Sequence, residues 1–224
     1  MSKIVAVVPV RKGSQRVKSK NTTGFHDTTL LDLKLNVLKN VKGLSRIIVN
    51  TDCEVCKDIA RSHDVELYER DDYFASSNVT NDVHWRHIAE VTNSEFLMLA
   101  QTTSPMVRVS TYENAIKQFF DNSCQFDSVN SVSAEKKFLW KNGEPLNYDI
   151  NKTPKSQDLP NIVSLNFAIT IINKENMYSR GNVVGENPNF IELDRIESLD
   201  VDEQIDFEFA EFVYSKLGLE WLLK

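Results

Sequence analysis

The sequence predicts an α/β protein with a mostly parallel central sheet, and three observations carry that prediction. The chain opens on a Val/Ile-rich run, Lys3–Val10, that alternates little, as a strand covered on both faces would. Short apolar runs and helical periodicities then alternate through the first 130 residues. A basic loop follows the first strand, at the end where such sheets bind their ligands.

The elements follow in order. Leu31, Leu35 and Leu38 mark a first helix. Ile47–Asn50 reads as the second strand, and Thr51-x-x-Glu54 as a capping box opening a helix over Glu54–Ser62. Val65–Tyr68 is the third strand, and Trp85, Ile88 and Ala89 form the core stripe of the next helix. Phe96–Gln101 is a further strand, followed by a second capping box, Ser110-x-x-Glu113, on a helix running to about Asn122. Asp127–Ser133 and Val163–Ile172 complete the strands. Ile205, Phe209, Phe212, Val213 and Leu217 give the closing helix an apolar stripe of period 3.6. Residues 134–162 break the pattern with Asn142-Gly143, Pro145, Pro154 and Pro160, and read as a hairpin or extended arm. No repeat or linker divides the chain, so one domain over residues 1–224 is expected.

Composition narrows the function. With 224 residues, 41% apolar and 26% charged, the chain is neither disordered nor fibrous. No apolar run reaches the roughly 18 residues of a membrane span. Ile4–Val10 is short and interrupted by Pro9, with no cleavage site beyond it, so it reads as a buried strand and not as a signal peptide. Three cysteines without framework spacing suit a reducing cytoplasm, the expected location.

The formal charge is −6, but residues 11–20 carry Arg11, Lys12, Arg16, Lys18 and Lys20 with no acid. Positive charge confined to ten residues of an acidic protein favours a small polyanion such as a triphosphate over nucleic acid. Between Glu192 and Glu211 lie nine acids and one base, Arg195. Such a pair of segments suggests phosphate and metal ion brought together by folding.

The basic segment has the chemistry for that. Gly13 and Ser14 allow a tight path whose N–H groups can face a phosphate. Arg11 can bind phosphate oxygens with two parallel hydrogen bonds, and Lys20 offers a compact point charge. Glycine is scarce, seven in all, and no Gly-x-x-x-x-Gly-Lys-Ser/Thr occurs, so this is not a P-loop. Asp200 and Asp202, two residues apart, share one face of an extended segment, and hard carboxylates suit Mg²⁺. They also suit the dipole at the start of the last helix, and both readings can hold together.

Val10-Arg11-Lys12-Gly13-Ser14 through Lys20-Asn21 resembles the signature of the cytidylyltransferases that activate acidic sugars as CMP conjugates, the acylneuraminate and 3-deoxy-manno-octulosonate enzymes. The likeness continues through Thr51-Asp52, Arg70, Gln101-Thr102-Thr103-Ser104-Pro105, Gln157-Asp158-Leu159-Pro160 with Asn166, and Asp200-Val201-Asp202 with Asp206, in order along the chain. It implies a Rossmann-like fold of the nucleotide-diphospho-sugar transferase type, with residues 134–180 as an arm packing on a second subunit of a homodimer. It implies that Val10, Arg11, Gly13, Ser14, Lys20, Asn21, Arg70 and Asn81 surround CTP, and that Gln101, Lys155, Gln157 and Asn166 meet the acidic sugar. It implies that Asp200 and Asp202 hold Mg²⁺, or Mn²⁺, with Arg11, Lys20 and Asp202 as the catalytic set. The product would be a CMP-sugar for surface polysaccharide, released with pyrophosphate, with no nucleic-acid or membrane partner.

Departures from the family pattern fall on the acceptor side. The usual arginine two before Gln157 is replaced, with Ser156 immediately before Gln157 and Lys155 before that, and Arg108 is displaced by one residue after Ser104-Pro105. The usual Asn-Gly becomes Asn166-Phe167, and Asn81 stands where several members carry a hydroxyl near the base. These changes leave room for a non-sugar acid acceptor such as a phosphonate. A non-catalytic nucleotide binder or a glycosyltransferase on a similar fold is the alternative from another class. Cys53-x-x-Cys56 lacks the context of redox enzymes and reads as packing. His84 and His87, one turn apart with no further His or Cys ligand, read as a surface pair.

Overall fold

A computed structural model describes residues 4–14, 16–76, 78–121 and 125–224. Seven strands form the main sheet: β1 (Ile4–Pro9), β2 (Leu44–Thr51), β3 (Glu66–Glu69), β4 (Phe96–Ala100), β5 (Ser128–Ala134), β6 (Val163–Asn173) and β7 (Pro188–Glu192). Their order is β7-β5-β6-β4-β1-β2-β3. β1 pairs in parallel with β2 and β4, and β7 with β5, while β6 runs antiparallel to both of its neighbours. The expected mostly parallel sheet is therefore present. Lys3 and Asn122, named above as element ends, lie outside the described residues.

The helices are α1 (Leu30–Lys39), α2 (Glu54–Ser62), α3 (Asp72–Ala75), α4 (Asn81–Val91), α5 (Val109–Asp121), α6 (Lys174–Arg180) and α7 (Gln204–Leu222). β1 shows how the layers form. Ile4, Ala6 and Val8 point into one core cluster with residues of α1, α5 and α7; Val5 and Val7 point into a second with residues of α4 and α6. A strand buried on both faces is apolar throughout, which is why the run at the start of the chain was legible.

Several local expectations are corrected. In α7 the face on the core is Phe207, Ala210, Tyr214 and Leu222, whereas Ile205, Phe209 and Phe212 are more than half exposed. Phe25 decides between the two stripes: its ring packs on Phe207 at 5.3 Å and Tyr214 at 5.5 Å. The Thr51 box does not form, because the Thr51 hydroxyl accepts the Cys53 N–H at 3.0 Å and Cys53 becomes the N-cap of α2. Ser110 lies inside α5, and the Glu113 carboxylate accepts the Lys42 N–H instead. The capping box that does form belongs to α7, between Glu203 and Asp206.

Residues 135–162 leave the main sheet as an arm. Trp140–Lys141 and Glu144–Pro145 form a hairpin closed by Asn142 and Gly143, both at positive φ as a tight primed turn requires. The remainder of the expected 134–180 segment is not arm: residues 163–173 are β6 in the main sheet, and α6 follows. β7 was not foreseen, since its alternation of exposed and covered residues is short and begins at Pro188.

Candidate active site

The site is built at the C-terminal ends of β1, β2, β3 and β4, where the strand order turns back at β1 and β4. After β1 the chain passes through Gly13, whose φ of +81° suits glycine and whose surroundings are open. The loop is tied at both ends. Lys12 N–H donates to the Asp52 carboxylate at 2.8 Å, and His26 N–H donates to Glu211 on α7 at 2.6 Å. Lys20 then reaches across to the last loop and donates to the Val201 carbonyl at 2.6 Å. Its ammonium is held below the usual lysine range by burial, which outweighs the opposing pull of Asp202 and Asp200.

A cavity of about 550 Å³ opens beside this loop, lined by Arg11, Arg16, Arg70, Phe74, Asn81, His84, Trp85 and Gln101 among others. Arg70 is its most constrained wall. It is buried, donates from Nε to the Asn50 side chain at 2.5 Å and from a terminal nitrogen to the Asn50 carbonyl at 2.8 Å. Burial lowers its pKa to about 10, so it stays a cation at any working pH. Arg11 stretches over the mouth and donates to the Ala75 carbonyl at 3.2 Å. His84 faces this cavity with its pKa lowered to about 3, first by burial and then by Arg70, His87 and Arg11, so the imidazole is neutral. His87 is buried and stacks on Phe74 with ring centroids 3.7 Å apart. The two histidines are thus part of the cavity wall and its backing, not a surface pair.

A second cavity of about 400 Å³ adjoins the first and shares Asn81, Trp85 and Gln101 with it. Thr103, Asn166, Phe167, Asn182, Val183 and Asp200 complete most of its lining, and no Lys or Arg is among the described residues that line it. The Asn166 amide is fixed by its neighbours on β5: Ser131 donates to Oδ1 at 2.5 Å and Nδ2 donates to Ser133 at 3.0 Å. Phe167, 43% exposed, sits at φ +54° where β6 shifts register. That conformation costs a non-glycine residue about 1–2 kcal/mol.

The acidic loop closes the arrangement. Asp202 pairs with Arg16 at 2.8 Å, and Asp206 accepts the N–H groups of Asp202 and Glu203. The Asp200 carboxyl is held above the ordinary range, mainly by burial against the protein and partly by Asp202 and Asp206. Among the described residues no three His, Cys, Asp or Glu side chains converge to hold a metal unaided. Asp200 and Asp202 offer hard carboxylate oxygens of the kind Mg²⁺ prefers.

The sequence matches the cytidylyltransferase family over residues 5–216. The chain belongs to that family. It is a nucleotidyltransferase. Among curated relatives it is 26% identical to the N-acylneuraminate cytidylyltransferase of an Escherichia coli O18:K1:H7 strain, over 96% of this chain and 53% of that one. It is 22% identical to the CMP-N,N'-diacetyllegionaminic acid synthase of Campylobacter jejuni, over 98% of each chain. The flagellin modification protein B of Campylobacter coli is also 22% identical over 98% of each chain. Among solved structures, a CMP:2-keto-3-deoxy-manno-octonic acid synthetase complexed with CTP superposes at TM-score 0.73 with 12% identity, covering 97% of this chain and 100% of that one. A 4-diphosphocytidyl-2C-methyl-D-erythritol synthase from Anaerococcus prevotii gives 0.69 with 13% identity over 96% of each. At these identities the structures speak for the fold.

In this cytidylyltransferase Arg11, Arg70, Asn81 and Gln101 come together on the first cavity, and Asn166 and Asp200 on the second. Gly13, Ser14 and Lys20 lie on the loop beside them. Asn21 stands behind the wall, buried, its side-chain oxygen accepting the Thr102 hydroxyl at 2.7 Å. The Val10 side chain is in the core and its N–H donates to Asn50. Lys155 and Gln157 are exposed on the arm and line neither cavity. Sequence reasoning missed Arg16, Phe74, His84, Trp85 and Val183. Trp85 carried a signal, a large aromatic on a polar helix, but it reads equally well as core.

Proposed function

We propose that this cytidylyltransferase transfers CMP from CTP to an acidic sugar of the acylneuraminate or 3-deoxy-ulosonate kind and releases pyrophosphate. The observation that carries the reading is the pair of adjoining cavities with a common wall of Asn81, Trp85 and Gln101. The arginine-lined cavity takes the nucleotide and the other takes the acceptor, so the reacting atoms meet at the shared wall. The anomeric hydroxyl attacks the α-phosphorus in line, its proton leaves to solvent or a nearby base, and pyrophosphate departs. The work of the chain is positioning and charge neutralisation. Arg11, Arg16 and Lys20 stabilise the charge developing on the leaving pyrophosphate. Gln101, placed on both cavities, orients the acceptor against the phosphate.

Asp200 and Asp202 would hold Mg²⁺ or Mn²⁺, which supplies charge neutralisation at the α-phosphate. We further propose a homodimer through the arm, supported by Phe138, Trp140, Leu146 and Ile150, all exposed there, and by Val163 and Leu165 on the adjoining strand. A soluble, cytoplasmic enzyme supplying surface polysaccharide fits this reading. Phe167, which fills part of the acceptor cavity, supports a second reading: an acid acceptor other than a sugar, such as a phosphonate.

Mass analysis of products formed from CTP, Mg²⁺ and a panel of neuraminate, legionaminate, pseudaminate, octulosonate and phosphonates tests both. A CMP conjugate of one sugar acid supports the first reading. A conjugate formed only with a phosphonate replaces it with the second.

A further inference from the structure

Lys34 lies in the middle of α1 with its side chain sealed from solvent. Its Nζ donates to the Ser104 carbonyl at 2.8 Å, contacts the Tyr112 hydroxyl at 2.6 Å and stands 5.2 Å from the centre of that ring. No acid offsets the burial, and burial alone brings its pKa down to about 7. An amine in such a place is costly, and an aliphatic residue would pack there without that cost. What the amine reaches explains its presence. Ser104 ends the turn Gln101–Ser104, and Pro105, which follows, has no N–H to help hold it.

Three parts of the site hang on that turn. Gln101 lines both cavities. Thr102 donates to Asn21 at the end of the basic loop at 2.7 Å. Thr103 accepts the Val201 N–H at 2.8 Å through its carbonyl and shares the lining of the second cavity with Asp200. The contact at Ser104 ties the end of the turn to α1.

We propose that Lys34 is a positioning residue for CMP transfer, fixing the 101–104 turn through Ser104 and, through that turn, the placement of Gln101, Asn21 and Asp200. The inference rests on the function proposed above for what those residues do, but the tether itself can be read without turnover.

Two variants test it. Lys34→Met keeps the packing and removes both polar contacts, and Tyr112→Phe removes one and keeps the Ser104 tether. In Lys34→Met, hydrogen–deuterium exchange is expected to quicken at the amides of 102–104 and 201–203 and to stay unchanged along the rest of α1. The kcat is expected to fall about tenfold or more, since small misplacements of reacting groups are costly in rate. The KM for CTP should stay within about twofold of wild type, and Tyr112→Phe should keep most of the wild-type kcat. Exchange that quickens evenly over the whole chain, or a wild-type kcat in Lys34→Met with only the melting point lowered, would overturn the proposal and leave Lys34 a core residue. If the wild-type protein itself makes no CMP conjugate, the functional reading fails, and the exchange pattern alone decides the tether.

Discussion

On one side of the wall formed by Asn81, Trp85 and Gln101, three arginines face a cavity of about 550 Å³; on the other, amides, Phe167, Val183 and one acid face about 400 Å³, with no Lys or Arg among the described lining residues. The first side combines strand ends and the loops that leave them, which carry its arginines, with α3, α4 and the segment between those helices, and Arg70 is held by short, directional bonds to Asn50. The second is assembled from α4, the segment after α6 and a strained position on β6. On the function proposed above, the nucleotide would be held by charge on the loops that leave the strands, and the acceptor by the shape of the side chains around it. Acceptor choice can then change through a few substitutions while the nucleotide half stays as it is.

The largest effects should come from the junction of phosphate and acid loops. Lys20→Ala and Asp202→Asn are each expected to lower kcat about 100-fold or more, comparable to removing one preorganised charge from other active sites. Near-normal turnover in either would break the division drawn here. Arg70→Lys comes next. It keeps the charge but loses the two-pronged hold on Asn50, so the KM for CTP should rise about tenfold with the acceptor KM little changed. An equal rise in both constants would blur the two sides.

Phe167→Gly probes the other side. Relief of the left-handed strain is about 1–2 kcal/mol and is largely offset by the greater freedom of glycine in the unfolded chain, so the melting point should move little. Loss of the ring should raise the acceptor KM up to about tenfold and leave that for CTP alone.

These two sides also differ in how much the sequence disclosed. The sheet, the basic loop and the acidic pair were legible because each depends on local pattern: an apolar run, a cluster of one charge, a spacing of two; Arg70 was reached only through the family resemblance. Phe74 and His84 were not, because what matters is which way a helix turns, and Val183 was not, because it lies in the irregular segment after α6. His84 and His87 show the difficulty. One turn apart on α4, they read as exposed, yet one faces the arginines as a neutral ring and the other is buried on Phe74. α7 misled for the same reason. Apolar residues lie all round it, and only the docking of Phe25 selects Phe207 and Tyr214 over Ile205, Phe209 and Phe212. The assignments that came from spacing alone at Thr51 and Ser110 failed where a neighbouring N–H claimed the hydroxyl or carboxylate first.

Smaller effects concern stability. The Lys34 amine titrates near 7 when folded and at its ordinary 10.5 when unfolded. Between those values the unfolded chain binds the extra proton, so this group makes stability rise with pH across the window. Thermal melts from pH 7 to 10 should show that rise in the wild type and a flatter profile in Lys34→Met. An unchanged slope would mean that the amine does not titrate there. Arg16→Ala removes an exposed pair with Asp202 and should change stability by less than about 1 kcal/mol, read from the melting point.

The central claim is that the arginine-lined side takes CTP and the adjoining side takes an acid that CMP is transferred to. Pyrophosphate release tests it most directly, measured with Mg²⁺ and the sugar-acid panel against CTP, ATP, GTP and UTP in parallel. Release is expected with CTP only when one of the acids is present, with little from the other nucleotides. Equal release with all four nucleotides, or release from CTP that ignores every acid offered, would contradict it.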